Sequence, residues 1–118
     1  DVFLHATALP AGTEGLKAAT RLDSVVAEVK RVGGVAGCMG AAALASAAGI
    51  EVSTHLFSEV SAHLLCVTPT AHWLEYVDWA DAVLSTRLRI KDGFALPSEE
   101  PGNGIAWDEA AVAKYLVG

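Results

Sequence analysis

Four titratable side chains, His5, Glu28, His55 and Glu75, follow one another along this chain, separated by roughly 20 to 27 residues, about one strand–helix unit each. Each lies at or near the carboxyl end of a short apolar run: Val2 to His5, Ser24 to Val29, Glu51 to Thr54, and the run ending in Trp73, Leu74 and Glu75. Imidazoles and carboxylates are the side chains that most often move protons near neutral pH. In a βα barrel the strand ends converge on one face, and the active site is built there. Four such groups arriving in register therefore mark a candidate acid–base site. Taken singly, a strand-end histidine is most often a satisfied structural residue and a glutamate a solvated one, so the weight rests on the spacing. The other histidines fit less well. His63 stands four residues after Glu59 in a helical run, an i,i+4 pair of structural type. His72 precedes Trp73 and faces the other side of a strand from it. Trp73, Trp79 and Trp107 lack the basic neighbours of a base-stacking platform and read as packing residues.

The elements that must position these groups alternate. Glu14 to Arg21 places Leu16, Ala19 and Leu22 on one helical face. Ser24 to Val29 is β-branched and suits a buried strand. Gly33-Gly34 marks a sharp turn. Val35 to Ala48 reads as a helix of small residues that can lie close against a sheet, with Gly49 as its stop. The strand ending at His55 precedes a helix from about Ser58 to Leu65, and Pro69 then forces a turn. This βα repeat predicts an α/β fold, a parallel sheet with helices outside. From Asp78 the pattern changes: a short helix to Leu84, a hairpin of Leu88 to Lys91 and Phe94 to Leu96 about Asp92-Gly93, a Pro- and Gly-rich loop, and a last helix from Glu109 to Leu116 capped by Asp108. The expected division is 1–77 for the βα units and 78–118 for a tail packing on a further subdomain.

Composition narrows the function. With 8 Lys and Arg against 14 Asp and Glu, the 118-residue chain has a net charge of −6, which repels phosphate and argues against nucleic acid as a partner. No apolar run reaches the length of a membrane span. Cys38 and Cys66 match no CxxC or zinc spacing and read as reduced thiols of a cytoplasmic protein. The chain opens on Asp1, and Val2 to Leu4 is already strand-like, as if cut through the middle of something larger.

The stretches Ser53-Thr54-His55-Leu56-Phe57, Ser61-Ala62-His63-Leu64-Leu65 and Thr68-Pro69-Thr70-Ala71-His72-Trp73-Leu74-Glu75 closely resemble the mandelate racemase group of the enolase superfamily. Lys30 to Gly37 resembles that group's strand-to-helix turn, and Pro101 to Ile105 with Lys114 to Val117 its C-terminus. The resemblance implies the C-terminal half of a modified TIM barrel, with the tail packing on a capping domain. It also implies an enzyme that removes the proton α to a carboxylate, with Mg²⁺ helping to stabilise the enediolate: a racemase of 2-hydroxy acids or a dehydratase of sugar acids. On the same basis His55 is the base, Glu28 the carboxylate that fixes its tautomer, and Glu75 the acid that hydrogen-bonds the substrate carboxylate. The Mg²⁺ ligands belong mostly to a half of the barrel that this chain lacks. Implied partners are a small carboxylate substrate and the missing N-terminal half or a chain that supplies it, in a homo-oligomer.

Two positions depart from the family pattern. Glu28 stands where the family has Asp, and His5 falls where it has a metal-ligand Glu, although imidazole suits Mg²⁺ poorly; His5 is not assigned as a ligand. These departures keep open an alternative, a catalytically degenerate half barrel that oligomerises as a structural or binding module.

Overall fold

Valine and serine at the start of the Ser24 run, and the Glu51–Thr54 run after it, form adjacent strands of one sheet. The computed structural model describes residues 24–27 and 29–116. His5 and Glu28, the strand expected at Val2 to His5 and the helix expected at Glu14 to Arg21 lie outside them.

Strand β1 (Ser24–Ala27) pairs in parallel with β2 (Glu51–Thr54), Ala27 opposite Thr54. Strand β3 (Ala71–Leu74) pairs in parallel on the other side of β2, giving the order β1-β2-β3. Helix α1 (Gly34–Ala48) connects β1 to β2, and α2 (Ser58–Cys66) connects β2 to β3. These are the crossovers that parallel neighbours require.

Glycine sets both ends of α1. Gly33 and Gly34 hold φ of 94° and 74°, a region side chains avoid, and the Gly34 amide donates to the Val29 carbonyl at 2.8 Å. At the other end Gly49 is left-handed, and the Ile50 amide reaches back to the Ala45 carbonyl at 2.9 Å, closing the helix. The small residues of α1 let it approach the sheet: Ala45, Ala27, Ile50 and Val52 form one buried cluster, with Ala48 against it. Cys38 is buried in the same helix, and burial pushes its thiol above the ordinary range. Both cysteines are free thiols, as expected, with Cys66 exposed.

Along β2, Val52 and Thr54 are buried under the helices, whereas Glu51, Ser53 and His55 lie on the opposite, open face. That alternation follows from the two-residue period of a strand.

The tail differs from expectation at its start and in the length of its last helix. Asp78 to Leu84 is not a helix. It makes successive tight turns, with Asp81 N–H to the Asp78 carbonyl at 3.1 Å and Val83 N–H to Ala80 at 2.9 Å. Its end is drawn into an antiparallel bridge between Leu84 and Trp107, flanked by Ser85 N–H to Ala106 and Asp108 N–H to Val83, both at 2.9 Å. A helix there could not offer those backbone groups. The hairpin forms as β4 (Arg89–Lys91) and β5 (Phe94–Leu96). Asp92 and Gly93 between them are both left-handed, at φ 51° and 82°, as a type I′ turn needs. Helix α3 (Glu109–Ala113) is shorter than expected and is capped by Asp108, whose carboxylate accepts from the Ala111 amide at 2.9 Å.

Candidate active site

The ends of β2 and β3 bring two of the predicted residues together. His55 follows β2 directly, and its amide donates to the Ala27 carbonyl at 3.1 Å, which anchors it to β1. Glu75 follows β3, and its amide donates to the Thr54 carbonyl at 3.3 Å. The imidazole Nδ1 lies 2.6 Å from Glu75 Oε2, with the two side chains 28% and 44% exposed. Such a distance marks a charge-assisted hydrogen bond reachable from solvent. Oε2 also accepts from the Leu56 amide at 3.0 Å.

The register of the sheet makes this pairing possible. Val52 faces Ala71, but Thr54 faces Leu74. One step more is taken on β3 than on β2, so β3 carries a bulge of one residue. Continued without the bulge, the first register would set Leu74 beside His55. With it, the neighbour is Glu75. The Trp73 amide at the bulge donates to Ser53 Oγ at 3.3 Å.

The loops beyond the two strands are held from α2. Leu56 and Phe57 are consecutive non-glycine residues with φ of 58° and 50°, a conformation that costs about 1–3 kcal/mol each. It persists because its polar groups are satisfied. Ser61 Oγ donates to the Leu56 carbonyl at 2.9 Å, and the Val60 and Ser61 amides donate to the Phe57 carbonyl at 3.1 and 2.8 Å. After β3, the Val77 amide donates to Ser58 Oγ at 3.3 Å. Ser58 and Ser61 are almost wholly buried, at 2% and 0% exposure. One helix thus fixes the chain beyond both His55 and Glu75. Next to Glu75, Tyr76 donates to Asp81 Oδ2 at 3.3 Å. Its hydroxyl is pushed above the ordinary range, first by loss of solvent and then by the Asp81 charge.

The remaining histidines stand apart from this pair. His72 Nδ1 lies 3.3 Å from Glu51 Oε2, at the opposite end of β2 from His55, and its ring sits 5.0 Å from that of Trp73. His63 and Glu59 border a narrow cleft with Arg87, Leu88 and Asn103. Among the described residues, no three His, Cys, Asp or Glu side chains come together as a metal site. Sequence reasoning missed Ser53, Ser58 and Ser61. A strand serine and two helical serines look the same whether or not they hold a loop, and the bulge that gives Ser53 its partner has no composition of its own.

Comparison with known proteins adds the family. The family described as enolase C-terminal domain-like matches residues 10–111. The L-talarate/galactarate dehydratase of Salmonella typhimurium is 30% identical over 89 residues, which is 75% of this chain and 22% of that enzyme. A solved enolase from Bradyrhizobium, complexed with magnesium and mandelic acid, is 45% identical with a TM-score of 0.80, over 90% of this chain and 29% of its own. A mandelate racemase/muconate lactonizing enzyme from Polaromonas sp. JS666 is 26% identical with a TM-score of 0.74, over 89% of this chain and 30% of its own. This chain therefore spans less than a third of each of these relatives. Its parallel strands and outer helices are part of a TIM-barrel-like α/β fold, and the chain belongs to the enolase C-terminal domain-like family.

Proposed function

We propose that this chain supplies the base and a carboxylate partner for removing the proton α to a carboxylate, within an enzyme of which it is one part. The observation that carries the reading is the 2.6 Å contact of His55 with Glu75 at neighbouring strand ends. A carboxylate on Nδ1 holds the ring proton there and leaves the lone pair on Nε2, so Nε2 is the atom that takes the α-proton. As that proton leaves, charge moves onto the substrate carboxylate. In this reading Glu75 is the acid that hydrogen-bonds the substrate carboxylate as that charge develops. When it carries the proton for that bond, the carboxylate that holds the ring proton on Nδ1 is Glu28. Glu28 is the further carboxylate assigned to His55 in this reading.

The substrate class is a small hydroxy acid. The relatives supply two outcomes, dehydration of a sugar acid and chemistry at a mandelate-like centre. In dehydration, His55 returns the proton from Nε2 to the departing 3-hydroxyl, which leaves as water. Racemisation needs a second base on the opposite face, which must come from elsewhere in the protein. The solved relative holds magnesium, and bound magnesium would stabilise negative charge on the substrate carboxylate. The described residues do not form a site for it, so in this reading its ligands come from the rest of the barrel.

Two surfaces fit a larger protein. The open face of the sheet would meet the missing barrel half. An apolar groove of about 470 Å³ between Val83, Trp107, Val112, Tyr115 and Leu116 would take the capping domain, with 78–118 as the packing tail. A cytoplasmic location accords with two free thiols, and a homo-oligomer is the assembly that the family resemblance implies; among the described residues no helix is long and apolar enough to cross a membrane.

The test is solvent-deuterium exchange at the α-carbon of mandelate and galactarate, in the full protein that carries this chain. His55→Asn should abolish exchange while leaving the fold intact by circular dichroism. Exchange retained in that variant refutes the assignment of the base. A wild-type protein that exchanges neither acid, and whose melting temperature does not respond to Mg²⁺, points instead to the degenerate module.

A further inference from the structure

We propose that Ser53 is a positioning residue for the His55–Glu75 pair: its hydroxyl accepts the Trp73 amide and so holds the bulge that sets Glu75, not Leu74, beside His55. The inference rests on the reading of His55 and Glu75 as the proton-transfer pair.

The ladder between β2 and β3 has two sound rungs. Below the bulge, the Val52 amide donates to the Thr70 carbonyl at 2.8 Å; above it, the Glu75 amide donates to the Thr54 carbonyl at 3.3 Å. Trp73 lies between them. An extra residue in one strand leaves an amide that the ladder cannot take. Ser53 sits on β2 between the two rungs, and its Oγ accepts that amide at 3.3 Å. Its side chain shares the open face of the strand with His55, two residues on. A hydroxyl on a single carbon reaches the neighbouring strand's backbone from there, and an aliphatic side chain offers no acceptor.

Without that acceptor, the regular register set by Val52 and Ala71 gains on the bulged one. A slip of one residue turns each side chain to the opposite face of its strand. Leu74 would then face His55, and Glu75 would leave Nδ1. The downstream chain is held separately, by the Val77 amide on Ser58 Oγ, and the helices cover the other face of the sheet. The expected effect is therefore lost pair geometry in a protein that still folds.

The experiment compares Ser53→Thr, Ser53→Val and Ser53→Ala in the full protein. Thr and Val are both β-branched, both suit a strand and differ by the hydroxyl. The first readout is the ring ¹⁵N spectrum of His55, which reports whether the Nδ1 proton is held by a carboxylate, with Glu75→Gln as reference. The second is the rate of α-deuterium exchange of mandelate and galactarate. Ser53→Thr should keep the wild-type ring spectrum and rate. Ser53→Val and Ser53→Ala should move the spectrum towards that of Glu75→Gln and lower the rate roughly 10²-fold, the scale of a displacement of about 1 Å at a reacting group, with a melting temperature near that of Ser53→Thr. If Ser53→Val matches Ser53→Thr in both readouts, the proposal is overturned. It is also overturned if Ser53→Val fails to fold where Ser53→Thr folds, because the hydroxyl then serves the fold and not the pair. If the wild type exchanges neither acid but only Ser53→Val and Ser53→Ala lose the ring signature, the enolising reading falls and the positioning role of Ser53 stands.

Discussion

Ser61 shows how much of the site hangs on one buried hydroxyl. It has no exposed side-chain surface, and it donates to the carbonyl of Leu56, a residue held left-handed at φ 58°. The same residue's amide donates to Glu75 Oε2. Ser61 therefore supports, through the single residue Leu56, the carboxylate that holds His55. Ser61→Ala removes the donor and leaves a carbonyl without its partner in a strained turn, a loss of about 1–3 kcal/mol. Urea unfolding of the two proteins should show a lower midpoint with an unchanged slope. Equal midpoints would mean that the turn is held by the Val60 and Ser61 amides on Phe57 and that the hydroxyl adds little. The strain also explains why sequence reasoning passes over the turn. Leucine and phenylalanine carry no turn signature, and their conformation is imposed by α2 and by Glu75.

At the scale of elements, what composition and spacing encode is what the sequence reveals. The small-residue helix, its glycine stop, the strand ending at His55 and the Asp92-Gly93 hairpin all follow from local rules: backbone freedom at glycine, β-branching, two-residue turns. The parts that local rules miss depend on neighbours. Asp78 to Leu84 has the composition of a short helix, yet its backbone is claimed by Trp107 and its flanking residues, far along the chain. The β3 bulge is likewise a property of a pair of strands and not of either one. Helix α1 offers a test in which two glycines of one element give opposite signs. A Cβ added at Gly37 would lie 1.7 Å from the Val32 carbonyl oxygen, whereas at Gly40 it meets nothing within 4 Å. Gly40 is an exposed helical position, so Gly40→Ala should stabilise by about 1 kcal/mol through helix propensity. Gly37→Ala must push the Gly33-Gly34 turn away from the helix and should destabilise by about 1–3 kcal/mol. Thermal melts of both variants decide this; a Gly37→Ala protein as stable as wild type would show that the turn can move at little cost.

At the scale of the molecule, the open side of the sheet is the feature that most needs an explanation. Trp73, Trp79 and Trp107 are 67%, 74% and 57% exposed, and Phe94, Tyr115 and Leu116 are exposed more than half as well. Single exposed apolar residues are ordinary, but large contiguous ones mark surfaces that meet something. Trp73 lies in β3, next to the open face, and Trp107 borders the groove of the tail. If the chain is part of a larger enzyme, the first would be covered by the rest of the barrel and the second by the capping domain. Covering indole rings removes them from water, which blue-shifts their emission and shields them from a small quencher such as acrylamide. The 118-residue chain by itself should therefore emit at long wavelength and quench readily. The full protein carrying the chain, with any tryptophans outside it replaced by phenylalanine so that only these three report, should emit to the blue and resist quenching. Within that protein, Trp107→Phe should remove part of the shielded signal and Trp79→Phe should remove less of it, because Trp79 stands in the turns after Glu75 and does not line the groove. Three tryptophans quenched alike in both proteins would mean that these faces stay bare in the assembled molecule. The half barrel would then stand as a module, and His55 and Glu75 would sit at the rim of an open sheet, where water competes for every hydrogen bond that the proposed chemistry needs.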